Sequence, residues 1–430
     1  MTLDRTTPPA IRQLSEFSIS LPERRVMKNG MPLNIINAGT EDVVRFDLLI
    51  GGGQWHQEQP LQAMFTNRML REGAGSMTSA QIAEKLDYYG AWLELSSSVN
   101  YGFITLYSLN KYFSRTLSVI AEMVKTPLFP YKRSFSVVAD TNKQQFLVNS
   151  TRVEMIARKQ LNRALFGAEH PFGRYAVAED YDRITPEVLH DFYRKYYHSG
   201  NCSVYISGKV TPDIIRSVEE NLGNEAWGEV KDKPVMQAVV PRTTSEKHLF
   251  VEREDALQSS LKMGSFVMER HHPDFLKARV MVTLFGGYFG SRLMSNIREE
   301  KGYTYGIGAG IVSYPDSGIL IISTEAANEY INPIITEVYR EMDKLCNEPV
   351  PQEELEMVKN YMLGDLCRSY EGPFSLSDAW IYIETAGLDD KFFIRSLDAI
   401  RGITREEIQR LAQTYFCKEN LIEVIAGKKV

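Results

Sequence analysis

The 430-residue chain is poor in the side chains that most often carry metal and redox chemistry: seven histidines and four cysteines. Cys202, Cys346, Cys367 and Cys417 form no CxxC pair and no metal-ligand spacing. They suit a reducing compartment in which each acts as a small core hydrophobe. No stretch approaches 18 consecutive apolar residues, which excludes a membrane-spanning helix by the usual length criterion. The N-terminal segment lacks a basic start followed by an apolar run, so no signal peptide is read and a cytoplasmic location is expected. Basic and acidic residues number 49 and 55, a formal charge of −6, and no run of five like charges occurs. Nucleic acid is therefore not expected as a partner.

What is present is a globular composition, 43% hydrophobic and 24% charged, in a chain too long for one ordinary core. An internal repeat accounts for the length. Ile184–Lys209 and Ile403–Lys428 align without a gap at an offset of 219 (403 − 184), with eight of 26 positions identical. Both read as a Thr-capped helix, an Asn turn and a strand ending in Gly-Lys. Gly51 with Gly264, offset 213, and Pro127 with Pro349, offset 222, serve as further anchors. The expected organisation is a first half over residues 1–226, a linker over 227–248 and a second half over 249–430. Within the first half, Val43–Ile50 reads as a strand. Thr78 and Gln81 form a capping box ahead of a helix closed by Gly90. Ala91–Ser98 and Gly102–Tyr107 read as a hairpin. The expected fold class is α+β: two duplicated halves of about 200 residues, each an antiparallel-rich sheet with helices packed on one face.

The most specific text lies in Asp274–Ile311, DFLKARVMVTLFGGYFGSRLMSNIREEKGYTYGIGAGI. With its GGxxGSRL run and the Arg-Glu…Lys-Gly…Tyr segment behind it, the chain resembles the pitrilysin/insulinase-type zinc metallopeptidases, the family of the mitochondrial processing peptidase. HPFGR, His170–Arg174, fits the same pattern in the first half. The resemblance spans nearly the whole chain and implies a clam-like peptide chamber.

Active members of that family carry an inverted HxxEH on a helix, two imidazoles binding zinc and a glutamate as general base, with a further glutamate some seventy-five residues later. Counting back from Gly73-Ala74, the corresponding positions hold Met64, Asn67 and Arg68. A guanidinium does not ligate zinc and repels it. Thr141–Val153, where the third ligand is due, contains no carboxylate. No two histidines stand four residues apart, and His271-His272 with Glu269 and Asp274 is read as a structural junction. No metal or other cofactor is expected in this chain.

The family's second element, an arginine and a tyrosine that reach the substrate, matches Arg298 and Tyr305. A phenol and a guanidinium are suitable donors to peptide carbonyls and to a developing oxyanion. The plainer alternative is a surface ion pair for Arg298 and strand packing for Tyr305. Retention of this pair without the zinc motif implies a non-catalytic, substrate-binding subunit of a heterodimeric zinc peptidase. Its partner would be a homologous subunit bearing zinc, and its substrate a peptide. The competing expectation is a structural or assembly protein of a larger complex, with no role in proteolysis.

Overall fold

The computed structural model describes residue 6 and residues 19–129, 133–229 and 238–429. Strands β1 (Glu23–Val26), β2 (Pro32–Asn37), β3 (Val43–Gly51), β4 (Trp92–Ser97), β5 (Tyr101–Leu109) and β6 (Cys202–Gly208) form one sheet. Its order is β1-β2-β6-β3-β5-β4. A second sheet holds β7 (His248–Glu252), β8 (Gln258–Val267), β9 (Thr304–Ser313), β10 (Gly318–Ala327) and β11 (Ile422–Gly427), in the order β7-β11-β8-β10-β9.

These orders are the same pattern twice. Leaving β1 aside, β2-β6-β3-β5-β4 superposes in sequence order on β7-β11-β8-β10-β9. The one parallel pair of each sheet occupies the same place, β2 with β6 and β7 with β11. The ladders also adjust one anchor of the repeat. Leu49 opposes Ser203 and Gly264 opposes Ile422, and those partners are 219 apart (422 − 203). Leu49, not Gly51, is therefore the counterpart of Gly264, at an offset of 215. A two-residue slip keeps the same sheet face, so sequence pattern alone does not detect it.

The helices of the first half are α1 (Gln62–Met69), α2 (Ser79–Tyr88), α3 (Phe113–Lys125), α4 (Arg133–Ser150), α5 (Val153–Phe166), α6 (Asp180–Arg183), α7 (Pro186–Tyr196) and α8 (Pro212–Val218). Those of the second are α9 (Phe275–Val282), α10 (Ile331–Asn347), α11 (Gln352–Arg368), α12 (Pro373–Thr385), α13 (Phe392–Gly402) and α14 (Arg405–Tyr415). Thr78 caps α2 and Thr404 caps α14 through complete capping boxes. Thr185 precedes α7 without a side-chain capping bond, and Pro186 opens that helix at its first position.

Strand alternation gives each sheet two different faces. On β3, Val44, Phe46, Leu48 and Ile50 enter the first core with Phe65, Leu117, Ile120 and Leu189. On β8 and β10, Leu261, Met263, Leu320 and Ile322 pack with Phe275, Ile334, Val338 and Leu411. The opposite faces are covered as well, in contrast to the one-faced arrangement expected from sequence. Each is covered by a helix of the other half. α5 lies on the second sheet, where Ala157, Leu161 and Leu165 meet Ile319, Ile422, Val424 and Ala426. α12, the counterpart of α5, lies on the first sheet.

The two crossings differ in chemistry. Under α12, the Arg45 guanidinium pairs with Asp47 at 2.9 Å and Asp378 at 2.7 Å. Thr105 donates to Asp47 at 2.7 Å. Ser203 and Tyr205 donate to the two oxygens of Glu384 at 2.5 and 2.7 Å. An exchange of helices across such faces makes the two halves one packed body, since neither sheet is covered without the other half.

Cysteine use departs from expectation. Cys202 is buried on β6, whereas Cys346, Cys367 and Cys417 are only partly covered. Of the segment expected to link the halves, Trp227 packs into the first core and donates its indole N–H to the Leu222 carbonyl at 3.2 Å. Residues 230–237 lie outside the described residues. Arg242 and Thr244 bond the backbone of α5 before β7 begins at His248.

Candidate functional site

The three positions matched to the zinc motif lie on α1, and the structure separates them into two environments. Asn67 is 1% exposed and faces the core. Its Nδ2 lies 3.4 Å from the Phe103 carbonyl and 3.3 Å from the Tyr197 hydroxyl, tying α1 to β5 and to the end of α7. Its Oδ1 is buried without a partner among the described residues. Burial drives the Tyr197 phenol well above its ordinary pKa, so it stays neutral. A structural amide thus stands at the position that the sequence reading matches to the general base.

Met64 and Arg68 turn the other way, into a cavity of about 280 Å³ between α1, α4 and α5. The Arg68 guanidinium donates to Oδ1 of Asn142. Asn142 lies 74 positions after Arg68 (142 − 68), in the segment where the third ligand is due. The local geometry that would bring a ligand of α4 to a ligand of α1 is therefore present, carried by a guanidinium and an amide. This donor set does not fit zinc: Arg68 is a fixed cation, Asn67 faces away, and Met64 offers only a thioether. Among the described residues, no group of three or more His, Cys, Asp or Glu side chains is placed to hold a metal ion.

His170 and the His271-His272 segment are tied into local contacts. His170 is buried, stacked on Phe166 at 4.9 Å, with Nε2 3.1 Å from the Val239 carbonyl. Around His271 and His272, Glu269 accepts from the His271 amide at 2.6 Å, and His272 Nδ1 accepts from the Asp274 amide at 3.1 Å. Asp274 is occupied by Arg410 and by the Tyr415 hydroxyl, which hold its carboxyl below the ordinary range.

Arg298 and Tyr305 are brought together in the second half. Arg298 is on a π-helical segment, Met294–Glu300, and Tyr305 is on the first turn-out of β9. The guanidinium lies 4.6 Å from the Phe289 ring centre and 5.2 Å from that of Tyr305. Arg298 makes no ion pair among the described residues, and Tyr305 is 91% exposed. Neither half of the plainer alternative, ion pair or strand packing, describes them. Phe289, which closes the other side of the arginine, is not readable from sequence as a partner; the glycines around it mark only a turn.

Next to Phe289, Tyr288 stacks on Tyr361 at 4.7 Å. Tyr361 lines a cavity of about 760 Å³ with Arg270, Arg279, Tyr370 and Tyr382. It lies between α9, α11, α12 and α13, and so is the second half's counterpart of the cavity at Arg68.

A sequence profile described as "Peptidase M16 inactive domain" matches residues 183–362, a segment that contains both Arg298 and Tyr305. The "Uncharacterized zinc protease YmxG" of Bacillus subtilis is 22% identical over 412 residues, covering 94% of this chain and 98% of that protein. Residues 183–362 thus carry a domain of the M16 peptidase family. The "Non-peptidase homolog YmxG" of Helicobacter pylori is 23% identical over 323 residues, covering 73% of this chain and 72% of that relative. A crystal structure of a peptidase M16 inactive domain from Pseudomonas fluorescens shares the fold with a TM-score of 0.82 at 21% identity, covering 95% of this chain and 98% of the other. No described helix is long and apolar enough to cross a membrane.

Proposed function

We propose that this chain is a non-catalytic subunit that holds peptide substrates for a homologous, zinc-bearing partner. The two chains together enclose the peptide chamber, and the reaction takes place at the partner's metal. The observation that carries this reading is the state of Arg298 and Tyr305: adjacent, Tyr305 exposed, and Arg298 half-buried against two aromatic rings without an ion pair among the described residues. The Tyr305 hydroxyl donates to a peptide carbonyl or to the oxyanion that forms during hydrolysis. Arg298, oriented between two aromatic rings, keeps all its N–H donors for peptide carbonyl oxygens or an acidic side chain. The replacement of the zinc ligands by Met64, Asn67 and Arg68 supports inactivity of the chain alone.

Co-purification from the native host followed by reconstitution tests the reading. Arg298→Ala and Tyr305→Phe should lower kcat/KM of the reconstituted pair by up to about 10²–10³-fold, the effect of losing one oxyanion donor, while assembly is unchanged. Chelator-sensitive hydrolysis by a metal-checked preparation of this chain alone would sink the proposal. A native complex in which both variants retain full activity would instead favour a purely structural subunit.

A further inference from the structure

The cavity on α1, α4 and α5 is more than a zinc site that has lost its ligands, because its charge is reversed. Its lining contains two cations, Arg68 and Lys159, and no carboxylate. The acidic groups nearby are engaged elsewhere. Asp182 holds Lys143 at 2.6 Å, and Asp180 accepts from the Val177 amide at 2.8 Å. Glu154 faces Lys262 at 3.5 Å. The only partner of the Arg68 guanidinium among the described residues is the neutral Asn142 amide.

Lys159 is held in place by aromatic faces, its ammonium 4.6 Å from the Phe146 ring centre and 5.7 Å from that of Tyr175. Burial and neighbouring Arg158 lower its pKa, the mark of a cation short of a counter-charge. Around the two charges, Asn142, Gln145, Asn149 and Ser150 supply donors and acceptors. Met64, Met155 and Phe146 supply an apolar floor.

We infer that this cavity is a binding site for a small organic carboxylate, with Arg68 and Lys159 as its charged partners. A planar guanidinium grips a carboxylate through paired N–H donors, and the ammonium adds a second charge-assisted bond. The apolar floor selects an organic acid over an inorganic anion. At about 280 Å³ the cavity falls just below the roughly 300–1,000 Å³ of sites for drug-sized ligands, so the ligand is about the size of one amino-acid residue. The helix that would present imidazoles to a metal thus presents positive charge to an acid.

Calorimetric titration of the full chain with N-acetyl-L-leucine, N-acetyl-L-leucinamide, inorganic phosphate and zinc chloride tests this. The carboxylate should bind at one site, and the neutral amide at least about tenfold more weakly, the equivalent of about 1.4 kcal/mol. Arg68→Gln and Lys159→Gln should each weaken carboxylate binding by about tenfold or more, and Arg68→Lys by less. Both side chains reach solvent, and unchanged melting of the variants separates a binding defect from a folding defect. Equal binding of carboxylate and amide, equal binding of phosphate, carboxylate affinity unaffected by both Gln variants, or stoichiometric zinc binding would each overturn the assignment.

Discussion

Replacing Arg45 by methionine probes the buried junction between the halves. Arg45 is 8% exposed and Asp47 1%, and their ion pair lies on the face of the first sheet covered by α12. Removing one partner of a buried pair costs about 3–5 kcal/mol, because the other charge is left uncompensated. Here the lower end, about 3 kcal/mol, is expected. Asp47 would still accept from Thr105 at 2.7 Å and from Ser377 at 3.4 Å. The loss should depend on pH. Burial raises the Asp47 carboxyl above its ordinary value, against the pull of Arg45 and Thr105. An acid with a raised folded pKa binds more protons native than unfolded. Its cost is absent below the unfolded pKa, and stability falls as pH rises through the folded value. Without Arg45 that window moves further up, so Arg45→Met should cost less near about pH 5 than near about pH 8. Urea denaturation followed by tryptophan fluorescence measures both, since Trp380 sits on α12, Trp55 and Trp92 lie in the first half, and Trp227 packs into the first core. The double variant Arg45→Met with Asp47→Leu should recover most of the loss. A cost below about 1 kcal/mol, or one equally large at both pH values, would refute the reasoning.

Two stability contrasts test the local readings. Thr404→Ala removes a complete capping box and should cost about 0.5–2 kcal/mol, whereas Thr185→Ala, at a cap without a side-chain bond, should cost less; thermal melts of the two variants decide this. Leu161→Ala opens the apolar contact of α5 with the second sheet and should cost about 2–5 kcal/mol. Hydrogen exchange should then show the loss of protection in β8 and β11 rather than in the first sheet, although the substitution lies in the first half's sequence.

The duplication was legible because its signal is local. Thr404 with Glu407, the Asn turn and the terminal Gly-Lys strand form a contiguous pattern, and contiguous patterns survive in sequence when contacts are not visible. The same holds for Thr78 with Gln81 and for the hairpin of β4 and β5. The reciprocal seating of α5 and α12 was not legible. An amphipathic stripe states that a helix face is buried and does not state which sheet buries it. Cysteine exposure failed for a related reason: Cys346, Cys367 and Cys417 sit on helices or their ends, where one step around the helix separates core from rim.

At the candidate site the division is similar. Residue identity alone told that Met64, Asn67 and Arg68 cannot form a zinc site, because ligand chemistry belongs to the side chain itself. It also marked Arg298 and Tyr305 as a pair through their spacing in a recognisable segment. Tertiary structure decided that Asn67 is a structural amide while Arg68 faces a cavity, and that Arg68 meets Asn142 across 74 residues of chain. It placed Phe289 over Arg298 and left Tyr305 in solvent. Chemistry is written residue by residue, whereas the direction in which a residue points and the charges that surround it are set only when distant segments pack.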